Sequence, residues 1–130
     1  MATTEPAPSS TDLLAALSEA AGVSGAEGPV RSLLRERLAG RVDRLASDPL
    51  GNLLAVREGP GPPVMVAAHM DEVGLMVVRI ERDGLLRFRK VGGIDDRVLP
   101  GKTFRVGRQA VPGVIGIKPV HLTRAEERQR

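Results

Sequence analysis

The chain has 130 residues, 42% of them apolar, which suits one average domain with a folded core and rules out a disordered polymer. Its two Phe, with no Tyr, Trp or Cys, exclude disulfides, thiolate metal sites and aromatic platforms for nucleic-acid bases. Nineteen Lys and Arg against sixteen Asp and Glu leave a net charge of +3. The arginines are interleaved with carboxylates, and only Arg87-Phe88-Arg89-Lys90 is a compact basic patch, so neither nucleic acid nor membrane is the expected partner.

Met1 to Ser10 carries no basic head or apolar core of a secretory signal and reads as a disordered leader rich in Ala, Pro, Thr and Ser. No apolar run approaches the roughly 20 residues needed to span a bilayer, so a cytoplasmic protein is expected. Ser10 or Thr11 is the expected cap of a helix from Asp12, with Leu13, Leu14 and Leu17 at amphipathic spacing and Gly22 at its end. After the turn Gly22-Val23-Ser24-Gly25, a second helix is predicted over 27–38, with Val30, Leu33, Leu34 and Leu38 on one face and Gly40 as its stop. Residues 41–47 alternate as an edge strand, Asp48-Pro49-Leu50-Gly51 turns, and 52–57 form the next strand.

The run Val64-Met65-Val66-Ala67-Ala68 reads as a strand over 63–68 buried on both faces, as in the middle of a helix-covered, largely parallel sheet. From Gly74 the pattern becomes antiparallel β. Strands are predicted over 74–81 and 85–90, joined through Arg82-Asp83-Gly84, then over 103–106 and 114–117, with no helix between Gly74 and Pro119. Leu122 to Arg130 is either the start of a helix or a charged tail. The fold class expected is α/β: the N-terminal part of a helix-covered mixed sheet over 11–73, followed by a partial, antiparallel β-rich domain over 74–130.

Chemistry concentrates where the apolar run ends, at His69-Met70-Asp71-Glu72. Ligands of open α/β sheets sit beyond the carboxyl ends of strands. His69 and Asp71 are two apart, so extended backbone projects them to one side, where Asp71 can hold one imidazole nitrogen while the other faces a metal. A histidine at a strand end is also commonly just a hydrogen-bonded polar residue. The pattern His-x-Asp by itself leaves both readings open.

Residues 64–74, with Leu75-Met76-Val77-Val78-Arg79-Ile80, closely resemble the His-Met-Asp-Glu segment of the glutamyl aminopeptidase family, which includes the tetrahedral aminopeptidases. Further blocks agree in the same order: Gly22-Val23-Ser24-Gly25 with Glu27, Asp48-Pro49-Leu50-Gly51-Asn52, Val91-Gly92-Gly93-Ile94-Asp95, and Gly113-Val114-Ile115-Gly116 leading to Lys118-Pro119-Val120-His121-Leu122. The resemblance spans about residues 12 to 128. It implies a hydrolase of peptide substrates with two divalent metal ions, zinc or cobalt, in which His69 binds one ion and Asp71 orients it. It also implies a PDZ-like apical domain, inserted after the His-Met-Asp-Glu segment, through which copies of the enzyme associate.

The family's other ligands and its general base lie downstream of that insertion, so the chain is expected to be the first third of a longer enzyme and inactive alone. Asp95-Asp96, followed by Arg97, reads as a solvated turn and His121 as structural, while Glu72 either contacts the site or begins the crossover into the β region. Two rival readings are a non-enzymatic module that associates through its β region and, as the third, a basic RNA-binding domain.

Overall fold

A computed structural model of the chain describes residues 9–117. They form two helices and three separate two-stranded antiparallel ribbons. Helix α1 (Ser10–Glu19) starts at Ser9, whose hydroxyl accepts from the Asp12 amide at 3.2 Å while the Asp12 carboxylate accepts from the Ser9 amide at 3.0 Å. This reciprocal box displaces the expected cap at Ser10 or Thr11, because those positions have Leu13 and Leu14 three residues on, and neither can return a hydrogen bond. Ser9 and Ser10, which the sequence places in the leader, therefore make the cap and first turn.

Helix α2 (Gly28–Leu38) has Pro29 in its first turn, where a missing N–H costs nothing, and stops at Ala39 ahead of Gly40 at φ +71°. Val30 is buried on its inner face, 6% exposed. Two arginines on α2 reach the first ribbon: an Arg31 guanidinium nitrogen donates to the Gly51 carbonyl at 3.0 Å and Arg35 to the Ser47 hydroxyl at 2.7 Å. That ribbon is β1 (Arg44–Ser47) against β2 (Leu53–Val56), in register from Arg44 opposite Val56 to Ser47 opposite Leu53. Asp48 closes its turn by accepting from the Asn52 amide at 2.9 Å, with Gly51 at φ +90°.

The strand expected over 63–68 is not formed. That stretch is extended chain without a ladder, with Val64, Met65 and Val66 exposed at 85%, 89% and 92%. The reason is physical: a strand exists only when a neighbour accepts and donates its backbone hydrogen bonds, and among the described residues none lies alongside. Among the described residues the mixed parallel sheet is consequently absent, and their one parallel pairing is an isolated bridge between Val23 and Glu72.

The second ribbon pairs β3 (Gly74–Ile80) with β4 (Leu86–Val91), from Gly74 opposite Val91 to Ile80 opposite Leu86, with a bulge at Val78. Asp83 accepts from the Leu85 amide at 3.1 Å and Gly84 takes φ +85°, as the Asp-Gly step foretells. Arg87, in the basic patch, is ion-paired with Glu81, which Arg79 also approaches at 3.4 Å.

Chain contacts divide the molecule after Gly92. In the second unit Asp95 caps a 3₁₀ helix (Asp96–Val98) that departs from the expectation of no helix, and Leu99 beyond it is buried. Strands β5 (Thr103–Val106) and β6 (Val111–Val114) pair antiparallel, with Arg105 opposite Pro112. Strand β6 lies three residues before the expected 114–117. Pro112 and Gly113 argue against a strand only inside a sheet, whereas in a two-strand ribbon each strand is an edge that tolerates both. His121 and residues 122–130 lie outside the described residues. No helix among the described residues is long and apolar enough to cross a membrane.

Candidate functional site

The site is assembled where the turn after α1 meets the chain that carries His69 to Gly74. Gly22 is buried, and a β-carbon there would sit 2.8 Å from Val30 Cγ2 and 3.1 Å from the Met70 carbonyl oxygen. Its backbone can approach only because it lacks that atom. Glu72 then clamps the turn twice: its amide donates to the Gly22 carbonyl at 2.7 Å, and its carboxylate accepts from the Gly22 amide at 3.3 Å. Glu27 shapes the other end by accepting from the Gly25 amide at 2.6 Å. Glu72 thus has a structural task in holding residues 22–24 against 70–74.

This clamp places Ser24 beside Asp71. The Ser24 hydroxyl donates to Asp71 Oδ2 at 2.5 Å, and Asp71 Oδ1 lies 3.0 Å from His69 Nδ1. The Asp71 carbonyl oxygen is also 3.0 Å from that nitrogen. Both oxygens are acceptors, so Nδ1 must carry the proton, and Nε2 of the neutral ring is left with its lone pair. The imidazole is 85% exposed and Asp71 40%. Ser24, His69, Asp71, Glu72, Val73 and Gly92 line an open concavity of about 390 Å³.

The two sequence-selected residues, His69 and Asp71, are therefore in contact. Asp95 is engaged elsewhere, capping its own turn through the Arg97 amide at 2.9 Å and meeting the Arg97 guanidinium at 2.5 Å. Ser24 escaped the sequence reading. Its partner is 47 residues away, and Gly-Val-Ser-Gly on its own reads as a turn. The donor set fits one corner of a metal centre, an exposed imidazole with a carboxylate on its far nitrogen. No three side chains of the ligand types converge among the described residues.

The Ser24 hydroxyl, and then the His69 ring, hold the Asp71 carboxyl below the ordinary aspartate range. Glu27 is lowered chiefly by the Gly25 amide, Asp12 by Ser9, and Asp48 by Asn52. A carboxylate depressed on folding contributes stability that is present above its unfolded pKa and lost as pH falls through the folded one. Resistance to urea is therefore expected to be level above about pH 5 and to decline progressively below about pH 4. Equilibrium unfolding across that range checks it, and stability that rose on acidification would contradict the four depressions.

A profile of the M42 glutamyl aminopeptidase family matches residues 51–130. Glutamyl aminopeptidase of Lactococcus lactis subsp. cremoris is 39% identical over 120 residues, 87% of this chain and 34% of that protein. The crystal structure of a TET aminopeptidase from a marine sediment archaeon of the Thaumarchaeota superposes with a TM-score of 0.80 at 33% identity, covering 92% of this chain and 34% of that one. The TET1 peptidase of Pyrococcus horikoshii, described as assembling into a tetrahedron or a large octahedral shell, superposes with a TM-score of 0.75 at 38% identity, covering 88% and 35%. This chain thus spans about a third of the length of each. With the profile covering more than half of its residues and the superpositions nearly all, the chain belongs to the M42 glutamyl aminopeptidase family.

Proposed function

We propose that the chain serves in the metal-dependent removal of N-terminal residues from peptides, with His69 as a metal ligand and Asp71 as the carboxylate that orients it. The observation that carries this reading is the His69–Asp71 contact. One ring nitrogen is committed to a carboxylate at 3.0 Å and the other left facing open solvent in a concavity. A divalent ion, zinc or cobalt in this reading, supplies Lewis-acid polarisation of a carbonyl and a more acidic bound water. This chain's own residues hold the imidazole in place: Asp71 keeps the proton on Nδ1, Glu72 fixes the backbone from which both project, and the neighbouring turn closes one wall.

A catalytic zinc site uses three protein ligands and an open position, and the described residues contribute one. Competence accordingly depends on side chains beyond them. We assign residues 74–130 to a β-rich apical domain of PDZ type through which copies associate. The assembly described for the Pyrococcus horikoshii relative supports that assignment. A cytoplasmic setting is consistent with the absence of cysteine.

The test is functional completion. This chain, substituted for the matching third of the Lactococcus enzyme, should yield a protein that hydrolyses leucyl or glutamyl p-nitroanilide with added cobalt or zinc. The chain by itself should show no turnover. A folded chimera without activity would sink the proposal, and turnover by the isolated chain would contradict its dependence on further ligands.

A further inference from the structure

The geometry points to Ser24 as a positioning residue: by anchoring Asp71 Oδ2 it aims Oδ1 at His69 and fixes the imidazole as the Nδ1–H tautomer, with Nε2 presented outward. This rests on the reading of His69 as a metal ligand, and adds a residue from a different part of the chain to it. The argument starts from torsional freedom. The last torsion of an aspartate joins sp³ and sp² carbons and has a broad, nearly two-fold profile, so an unanchored carboxylate does not hold a fixed direction. Asp71 is 40% exposed, and water competes for both of its oxygens. A hydroxyl 2.5 Å from Oδ2 removes that freedom, because the carboxylate is then held at both ends, by Ser24 and by the ring.

Ser24 can do this because the turn bearing it does not drift. Val23 bridges Glu72, Glu72 grips Gly22 through amide and carboxylate, and the Ala26 amide closes the turn onto the Val23 carbonyl at 2.7 Å. The ring's other acceptor, the Asp71 carbonyl at 3.0 Å, is neutral. A hydrogen bond to a carboxylate is roughly twice as strong as one to a neutral acceptor. Loss of the carboxylate's aim thus leaves the Nδ1–H form with the weaker partner only, and the ring returns toward the Nε2–H tautomer favoured by free histidine, which turns a protonated nitrogen toward any incoming cation.

The chain's own histidines make the test direct. There are two, His69 and His121, so a His121→Gln background leaves a single set of ring signals. Nitrogen-15 imidazole spectra in metal-free buffer at about pH 8.5, where free imidazole is neutral, report the tautomer without reference to catalysis. The expected result is a pyrrole-type Nδ1 in the parent, a shift toward pyrrole-type Nε2 in Ser24→Ala, and retention of the parental pattern in Ser24→Thr, with unchanged backbone amide spectra in both. An Nδ1–H signal that persists undiminished in Ser24→Ala overturns the inference, as does its loss in both variants. Because no metal or substrate is present, an inactive chimera with the expected tautomers would instead count against the hydrolase reading alone.

Discussion

Replacing His69 by alanine in the completed chimera is expected to lower peptidase activity by about three orders of magnitude or more, equivalent to about 4 kcal/mol of transition-state stabilisation. The size follows from what is lost. In the described residues this imidazole is the single exposed nitrogen donor with a carboxylate behind it, and no neighbouring side chain is placed to take over. Replacing Asp71 by asparagine is a milder change that keeps size and one acceptor but removes the charge. Loss of such an outer partner of a metal-bound histidine costs about 10- to 100-fold. The ordering is the diagnostic feature: His69→Ala must be worse than Asp71→Asn, and both effects should appear with cobalt and with zinc. Equal activities of parent and His69→Ala variant, measured on leucyl p-nitroanilide at saturating metal, would show that the ring is an ordinary polar residue at the end of an extended segment.

The second large effect concerns packing at Gly74, the first residue of β3. A β-carbon there overlaps Val23 Cγ2 and lies 3.0 and 3.2 Å from Cγ1 and Cβ of the same side chain. Gly74 is buried and Val23 is branched at Cβ, so the side chain cannot swing its far end away as a lysine would. Gly74→Ala is expected to destabilise the first unit by about 1–3 kcal/mol, the usual range for overpacking, and to lower Tm by roughly 5–20 °C for a unit of this size. The same change pushes Val23 off its bridge to Glu72 and carries the neighbouring Ser24 with it. A double-mutant cycle with Val23→Ala isolates the clash, because removing both methyl groups makes room. The double variant should recover at least about 1 kcal/mol relative to the sum of the single changes. Strict additivity in thermal melts would show that the close approach of residues 23 and 74 is not what positions this corner.

Local signals made part of the fold readable in advance. The leucine spacing of α1 and α2, the Asp-Pro-Leu-Gly turn and the Asp-Gly hairpin each concern residues a few positions apart, and β2, β3, β4 and β5 appear within one residue of their expected bounds at each end. The cap of α1 moved because reciprocity between Ser9 and Asp12 outweighs proximity to the first leucine. The stretch Val64 to Ala68 differs for another reason. Its composition is that of a buried strand, but burial and pairing require partners that the described residues do not supply. At the site, the His69–Asp71 relation was readable because it is local. Ser24, Glu72 and Gly74 act through contacts between turn and strand that no period or spacing encodes, and only folding reveals that Gly22 and Gly74 are glycines for lack of space.

Among the exposed apolar segments, the one before His69 has chemically distinct ends. Pro60, Pro62 and Pro63 precede it, and Asp71 and Glu72 follow closely. A short, uncharged, β-prone window of this kind is the usual seed of cross-β stacking, and prolines and carboxylates at its borders are gatekeepers that disfavour it. Proline has no amide hydrogen to extend a stacked ladder on one side, and in-register stacking on the other would pile like charges at the 4.7–4.8 Å spacing of a fibril. The carboxylate that steadies His69 is therefore also a border charge that opposes in-register stacking of the adjoining apolar stretch.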